Sequence, residues 1–166
     1  MSAPDANPYN GGIVREYTYR VDRDGRMFHD GTEIVDPATL RFFLLALQRT
    51  PDGRWLALCQ GERNWFEPAD TPFVVQRLGL RVCDGRLDGV ELSLAGEYRE
   101  PLDPATLEQD GAQLFCRVRK GAFPARFGRI ALQQLAPWIT EEAGCPALAL
   151  GGRRYRLSAQ RATAPP

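Results

Sequence analysis

Apolar and polar positions alternate from residue 16 to 21, with Tyr17, Tyr19 and Val21 against Glu16, Thr18 and Arg20. A period of two is that of a strand with one buried face. Residues 22–25 carry turn chemistry, with Gly25 able to take positive φ. A second strand is predicted over 26–29, before another turn at Asp30-Gly31. Asp36-Pro37 then opens a helix, because the carboxylate can accept orphan backbone N–H groups and proline is preset for the first helical turn. Leu40, Phe43, Leu44 and Leu47 recur at helical spacing. The helix is predicted over 37–50, ended by Pro51-Asp52-Gly53.

Residues 55–59 read as an apolar strand, 60–62 as a tight turn and 64–66 as the returning strand. Residues 67–72 form a loop, and 73–83 a long strand-type run interrupted at Gly79. Asp84-Gly85 and Asp88-Gly89 punctuate strands around Leu87 and residues 90–94. Segment 97–111 reads as irregular and acidic, with one short helical turn started by Asp103-Pro104. Residues 113–118 alternate as a strand. A second helix is predicted over 127–140, divided at Pro137. Residues 147–150, Gly151-Gly152 and 153–157 make the strongest hairpin signal in the chain.

Both helices are thus preceded by a strand and followed by a hairpin. The strands before them share lettering, Tyr19-Arg20-Val21-Asp22-Arg23 and Cys116-Arg117-Val118-Arg119-Lys120. The expected fold class is α+β in two similar halves, each a small antiparallel sheet covered by one helix. The halves are expected over 15–83 and 113–158, with connecting strands and an acidic loop over 84–112. Residues 1–14 and 159–166 are expected to be flexible tails. One helix on three or four strands buries little by itself. The halves should therefore dock and leave a seam, a common place for a ligand.

The 166 residues, 43% apolar and 25% charged, suit a soluble globular chain able to build its own core. No apolar run is long enough to span a membrane. The N-terminus lacks an export pattern, so the expected compartment is the cytoplasm, with reduced thiols. Cys59, Cys83, Cys116 and Cys145 include no C-x-x-C pair, and His29 is the one histidine. No metal or cofactor is expected on that donor set. Cys59, Cys83 and Cys116 lie in or at the end of apolar runs and are expected to pack as small hydrophobes.

A formal charge of zero argues against a dedicated nucleic-acid coat. Charge is nevertheless uneven: residues 84–110 carry a net −6 and residues 111–166 a net +7. The acidic segment either lies against the basic one, or Arg117, Arg119, Lys120, Arg126, Arg129, Arg153, Arg154 and Arg156 form an anion-attracting face. Lys120 is the only lysine. Arginine-only usage suits GC-rich coding, and it also suits planar recognition of anions.

Arg15-Glu16-Tyr17, Tyr19, Val21-Asp22, Gly25, Met27-Phe28 and Asp30, followed by Gly61-Glu62-Arg63-Asn64 and Asp70-Thr71-Pro72, resemble an uncharacterised family with bacterial and eukaryotic members. That family is known only as a domain of unknown function, so the resemblance implies no catalytic residues. Residues 28–31, Ile34, Asp52-Gly53, Glu62 and Asp70-Thr71-Pro72-Phe73 are also similar to a second uncharacterised, bacterial family with a W-H-D-G, P-x-E-K and V-E-D-x-P-F pattern. Val118 and residues 151–157 extend that likeness. It implies two repeated α+β motifs and a role in signalling. Here Phe28 replaces its tryptophan, Gln60-Gly61 its T-P and Arg63 its lysine.

Three functional classes follow. The first is a non-catalytic binding module for a small anionic ligand or a protein partner, at the seam or at a 62–66 tip. Its candidate residues are Glu62, Arg63, Asn64, Trp65, His29, Asp70, Arg117, Arg119 and Arg154. Glu62-Arg63-Asn64 reads either as a turn closed by an ion pair, with Asn64 left-handed, or as a recognition tip. Trp65 and Phe66 are neighbours on a strand, so one ring faces out. The second is an acid/base hydrolase using His29, Glu62 and Asp70, although adjacent His29 and Asp30 should face opposite sides of a strand. The third is nucleic-acid binding through the C-terminal arginines.

Overall fold

The opening alternation closes into a three-stranded meander in the computed structural model, which describes residues 13–159. β1 (Glu16–Val21) turns through Gly25, at φ +82, into β2 (Met27–His29). Asp30 and Gly31, both at positive φ, turn again into β3 (Thr32–Ile34). Asp36 caps α1 (Pro37–Ala46), its carboxylate accepting the Thr39 N–H at 2.9 Å. The helix stops at Ala46 because Leu47 is extended, and the edge strand β4 (Gln48–Arg49) takes the residues expected to continue it. The segments expected as tails lie outside the described residues, apart from Ile13, Val14 and Ala159 at their inner ends.

β5 (Trp55–Cys59) and β6 (Glu62–Pro68) complete a second meander. β6 lies parallel to β1, so the two meanders fuse into one sheet of order β3-β2-β1-β6-β5-β4. α1 covers one face, where the rings of Tyr19, Phe43 and Phe66 meet at centroid distances of 4.9 to 5.2 Å.

The next run breaks at Gln76 rather than at Gly79. β7 (Phe73–Val75) leaves this sheet, and β8 (Arg77–Cys83) pairs with β9 (Arg86–Ser93), which pairs with β10 (Arg99–Pro101). Leu87 and residues 90–93 belong to one strand, opposite a register shift at Arg81/Val82. The segment expected to be irregular holds β10, a 3-10 turn capped by Asp103, and β11 (Glu108–Asp110). β12 (Gln113–Val118) follows as expected, then β13 (Phe123–Phe127), which is not among the expected strands although Phe123, Ala125 and Phe127 alternate inward along it. β7 adds to β13 in parallel, giving the order β11-β12-β13-β7. Two parallel pairings therefore replace the purely antiparallel sheets that hairpin signals suggested.

The second expected helix contracts to α2 (Arg129–Leu135) and a 3-10 turn (Ala136–Trp138). Pro137 lacks the N–H that would continue the helix, and β14 (Ile139–Glu142) follows. β14 pairs with β15 (Cys145–Leu150), and β15 with β16 (Arg153–Arg156) around Gly151-Gly152. Just past β16, Ser158 makes a parallel bridge to Glu108 of β11.

The architecture is mixed α+β and dominated by strands, with two helices and four small sheets among the described residues. One continuous apolar cluster links them, from Val21 and Phe43 through Phe73 to Phe127 and Leu148. α1 lies directly on Gly96, between β9 and β10, at φ +67; Arg41 donates to the Gly96 carbonyl at 2.9 Å. A Cβ on Gly96 would stand 2.3 Å from the Arg41 nitrogen and 2.7 Å from the Pro37 carbonyl. Gly31 also has positive φ, but open space lies beside it. Gly31→Ala should lose about 1–2 kcal/mol for the left-handed backbone. Gly96→Ala should lose that plus about 1–3 kcal/mol for the clash with α1. Urea unfolding of both variants checks this; equal losses would mean that α1 does not need the close approach.

Candidate functional site

Residues 62–64 are not a tip. Gln60 and Gly61 form the turn, at φ +48 and +80, and Glu62, Arg63 and Asn64 begin β6. Glu62 reaches Arg15 at 3.9 Å and Arg63 reaches Glu16 at 3.3 Å, so both pair across to β1 or its approach. Asn64 is buried in extended backbone, and its side-chain amide donates to the Ala57 carbonyl at 3.1 Å. Phe66 points into the core. Trp65 faces the opposite side, with the Arg54 guanidinium 3.7 Å over its ring.

His29 lies beside Tyr17 and Tyr19, with Nδ1 3.1 Å from the Thr18 carbonyl. Its Nε2 is 3.3 Å from the Asp30 carboxylate. Asp30 escapes strand alternation because it sits in the left-handed turn at φ +47. Burial, together with the charges of Tyr17, Glu62 and Cys59, raises the Tyr19 phenol. His29 and Glu62 are separated by β1 and by about four positions along it. Their Cα atoms are on the order of 15 Å apart at sheet spacing.

Asp70 is part of a different assembly. Arg126 of β13 donates to its carboxylate at 2.9 Å, with the two side chains 13% and 19% exposed. The same guanidinium donates to Gln113 at 2.6 Å. Next to Asp70, the Thr71 hydroxyl accepts the Arg126 N–H at 3.0 Å and donates to the Phe73 carbonyl at 2.6 Å. The hydrolytic set is therefore not brought together: Asp70 is bound to the β7–β13 junction, and His29 and Glu62 sit apart on the first sheet.

The candidate arginines also divide. Arg117 donates to the Gly121 and Ala122 carbonyls at 2.7 and 3.3 Å, closing the β12–β13 turn. Arg119 donates to the Leu44 and Leu47 carbonyls at 3.3 and 2.6 Å, capping the end of α1, and stacks over Phe123. Its backbone N–H meets the Glu100 carboxylate at 3.1 Å. Acidic and basic segments thus touch through a backbone amide. Arg154 pairs with Glu142 across the last sheet. Of the cysteines expected to be buried, Cys116 is, and burial pushes its thiol up; Cys83 is exposed near the β8–β9 tip, where no neighbouring layer covers it.

Two clefts join arginines of the basic C-terminal segment to arginines from elsewhere in the chain. One, of about 360 Å³, is lined by Arg26 from the β1–β2 turn, Gln76 between β7 and β8, Arg77 at the start of β8, and Arg129 from α2. Arg26 is held by Asp22 at 2.8 Å. Arg77 and Arg129 make no ion pair among the described residues. The other, of about 460 Å³, lies between the β8–β9 tip and the last hairpin. Among the described residues no group of three or more His, Cys, Asp or Glu side chains is arranged to hold a metal. No described helix is long and apolar enough to cross a membrane.

No family model matches the sequence. The fold is similar to the crystal structure of a DUF1285 family protein from Silicibacter pomeroyi DSS-3, at TM-score 0.65 and 21% identity. That alignment covers 96% of this chain and 91% of the other. It is also similar to a DUF1285 family protein from Shewanella baltica OS155, at TM-score 0.55 and 10% identity over 73% of this chain and 91% of that one. Neither protein is named for an activity, and at these identities the likeness concerns the fold.

The Asp70–Arg126 pair predicts a contrast in stability. Asp70→Ala strands a largely buried guanidinium and should lose about 2–3 kcal/mol. Glu62→Ala removes an exposed pair and should stay within about 0.5 kcal/mol. Denaturant midpoints decide between them. Near Arg119, burial and the Glu100 hydrogen bond push the Tyr98 phenol from 10.0 up to about 12. The unfolded chain then loses this proton first. The Tyr98 contribution is complete below pH 10 and fades as pH rises toward about 12. Urea midpoints across that window should fall less steeply in Tyr98→Phe than in the parent chain.

Proposed function

We propose that this chain is a non-catalytic binding module that takes a small oxyanion-bearing ligand where its two halves meet. The supporting build is one arrangement used twice. A meander, a helix and a second meander run β1-β2-β3, α1, β4-β5-β6 in the first half. The second half runs β11-β12-β13, α2, β14-β15-β16. In the first, β1 pairs in parallel with β6. In the second, the equivalent contact is the single parallel bridge from Glu108 to Ser158, just after β16. The matched letters at 19–23 and 116–120 do not follow this correspondence, since they equate β1 with β12.

The observation that carries the functional reading is the 360 Å³ cleft. Arg26 comes from the first half, Arg129 from the second and Arg77 from the link between them. Guanidinium groups offer paired donors in a plane that matches carboxylate and phosphate oxygens. With Arg77 and Arg129 unpaired among the described residues, the cleft presents positive charge that Asp24, also lining it, offsets only in part. A module of this kind would report a metabolite without transforming it, as suits a part in signalling.

Thermal shift with inorganic phosphate, pyrophosphate and citrate tests the proposal. At least one should raise the melting temperature of the parent chain. Its affinity should fall roughly tenfold to a hundredfold in Arg77→Ala/Arg129→Ala, the loss expected for charge-assisted hydrogen bonds. No stabilisation by any of the three, or the same response in the double variant, would overturn it.

A further inference from the structure

The larger cleft has a different chemistry. Its floor is apolar, from Leu87 of β9, Trp138 with Pro137, and Ala149 of β15, while Arg86, Arg153 and Arg154 stand at its edge. Leu87 is buried, and the last hairpin is tied to it by a hydrogen bond of 3.1 Å from the Gly151 N–H to the Leu87 carbonyl. The walls are therefore held relative to one another by backbone. Gly85 and Gly152 have open space where a side chain would begin, so the cleft stays accessible between the two hairpin tips. Its volume of about 460 Å³ fits one small organic molecule.

Charge and surface point the same way. Arg154 is engaged by Glu142, whereas Arg86 and Arg153 make no ion pair among the described residues. No acidic residue lines the cleft. An indole beside unpaired guanidinium groups favours a ligand that has a flat ring and a negative group at once. The ring gains stacking and burial against Trp138, and the anion takes paired N–H donors. An inorganic anion would leave the apolar floor wet, and a neutral ring would leave the arginines without a counter-charge.

We propose that this cleft is a second binding site, for a planar aromatic ring carrying a phosphate or carboxylate group. It is independent of the cleft at Arg77 and Arg129, which lacks an aromatic wall. Two sources of the shared chemistry are distinguished by two probes, adenosine 5′-monophosphate and indole-3-acetate. Adenosine supplies a ring without the anion, and inorganic phosphate an anion without the ring.

Calorimetric titration of the full chain, with tryptophan fluorescence alongside, tests the proposal. With the first cleft disabled by Arg77→Ala/Arg129→Ala, at least one ring-bearing anion should bind roughly tenfold more tightly than adenosine and than phosphate. Arg86→Ala/Arg153→Ala should weaken it by a similar factor. Ala149→Phe, at an exposed position that tolerates a larger side chain, should block it by filling the cleft while leaving the charges in place. Arg77→Ala/Arg129→Ala should leave it unchanged, which separates this site from the one proposed above. Trp138→Phe should remove the fluorescence response to adenosine 5′-monophosphate and keep the fold, as read by circular dichroism. Binding of neither ring-bearing anion, equal affinity for the ring or the anion alone, or binding that follows Arg77 and Arg129 would each overturn the assignment.

Discussion

Three buried residues, Phe73, Val74 and Val75, hold this molecule together. They follow β6 of the first sheet after the short segment 69–72, yet their strand pairs in parallel with β13 of another. A chain that crosses between sheets must satisfy its backbone on both sides of the crossing, since an unpaired buried amide is costly. The Asp70–Thr71 segment does this. Arg126 ties Asp70 to β13, the Thr71 hydroxyl bridges the two backbones, and the Gly128 N–H continues the ladder to the Val75 carbonyl at 2.8 Å. The Asp70-Thr71-Pro72 motif is thus explained by docking, and the docking brings Arg26, Arg77 and Arg129 to one cleft.

A second set of contacts works in the same direction. The end of α1, which belongs to the first sheet, is capped by Arg119 from the β12–β13 turn. Glu100 holds the Arg119 backbone, and Tyr98 donates to the same carboxylate. Helix C-termini leave carbonyls without partners, and here a distant cation supplies them. α2 is matched differently. Gln134 on this helix donates to and accepts from the backbone of Leu78 in β8, in place of a neighbouring strand. Each helix is therefore fastened to a segment far from it in sequence. That is why neither helix with its nearest strands alone accounts for the core.

The division of arginines follows from where each lands. Arg117, Arg119 and Arg126 donate to protein carbonyls or carboxylates, so they serve structure despite lying in the most basic part of the chain. Arg77, Arg86, Arg129 and Arg153 stand at cleft edges without ion pairs among the described residues. Net charge by segment sees no difference between these groups, because it counts cations without asking which already have partners.

Local order was legible wherever one strand or turn determined its own fate. The 16–21 alternation, the Asp36-Pro37 helix start, the Asp103-Pro104 turn and the Gly151-Gly152 hairpin all appear as their chemistry requires. So did the opposite facing of Trp65 and Phe66, which follows from strand period, although the fold alone decided that Phe66 is the ring turned inward. Other features depended on contacts between distant residues. β13 took its place between β12 and β7, and Ile139 and Thr140, expected to end the second helix, paired past Pro137 with Leu148 and Ala147 of β15. The left-handed Asp30 turned its carboxylate toward His29 against simple alternation. The amino-acid order by itself determined the strands, turns and caps, since these depend on periodicity and on what a backbone can adopt within a few residues. Tertiary structure decided that Arg119 and Arg126 are consumed while Arg77 and Arg129 keep no ion pair among the described residues, because the partners of the first two, Leu47 and Asp70, lie more than fifty residues away along the chain.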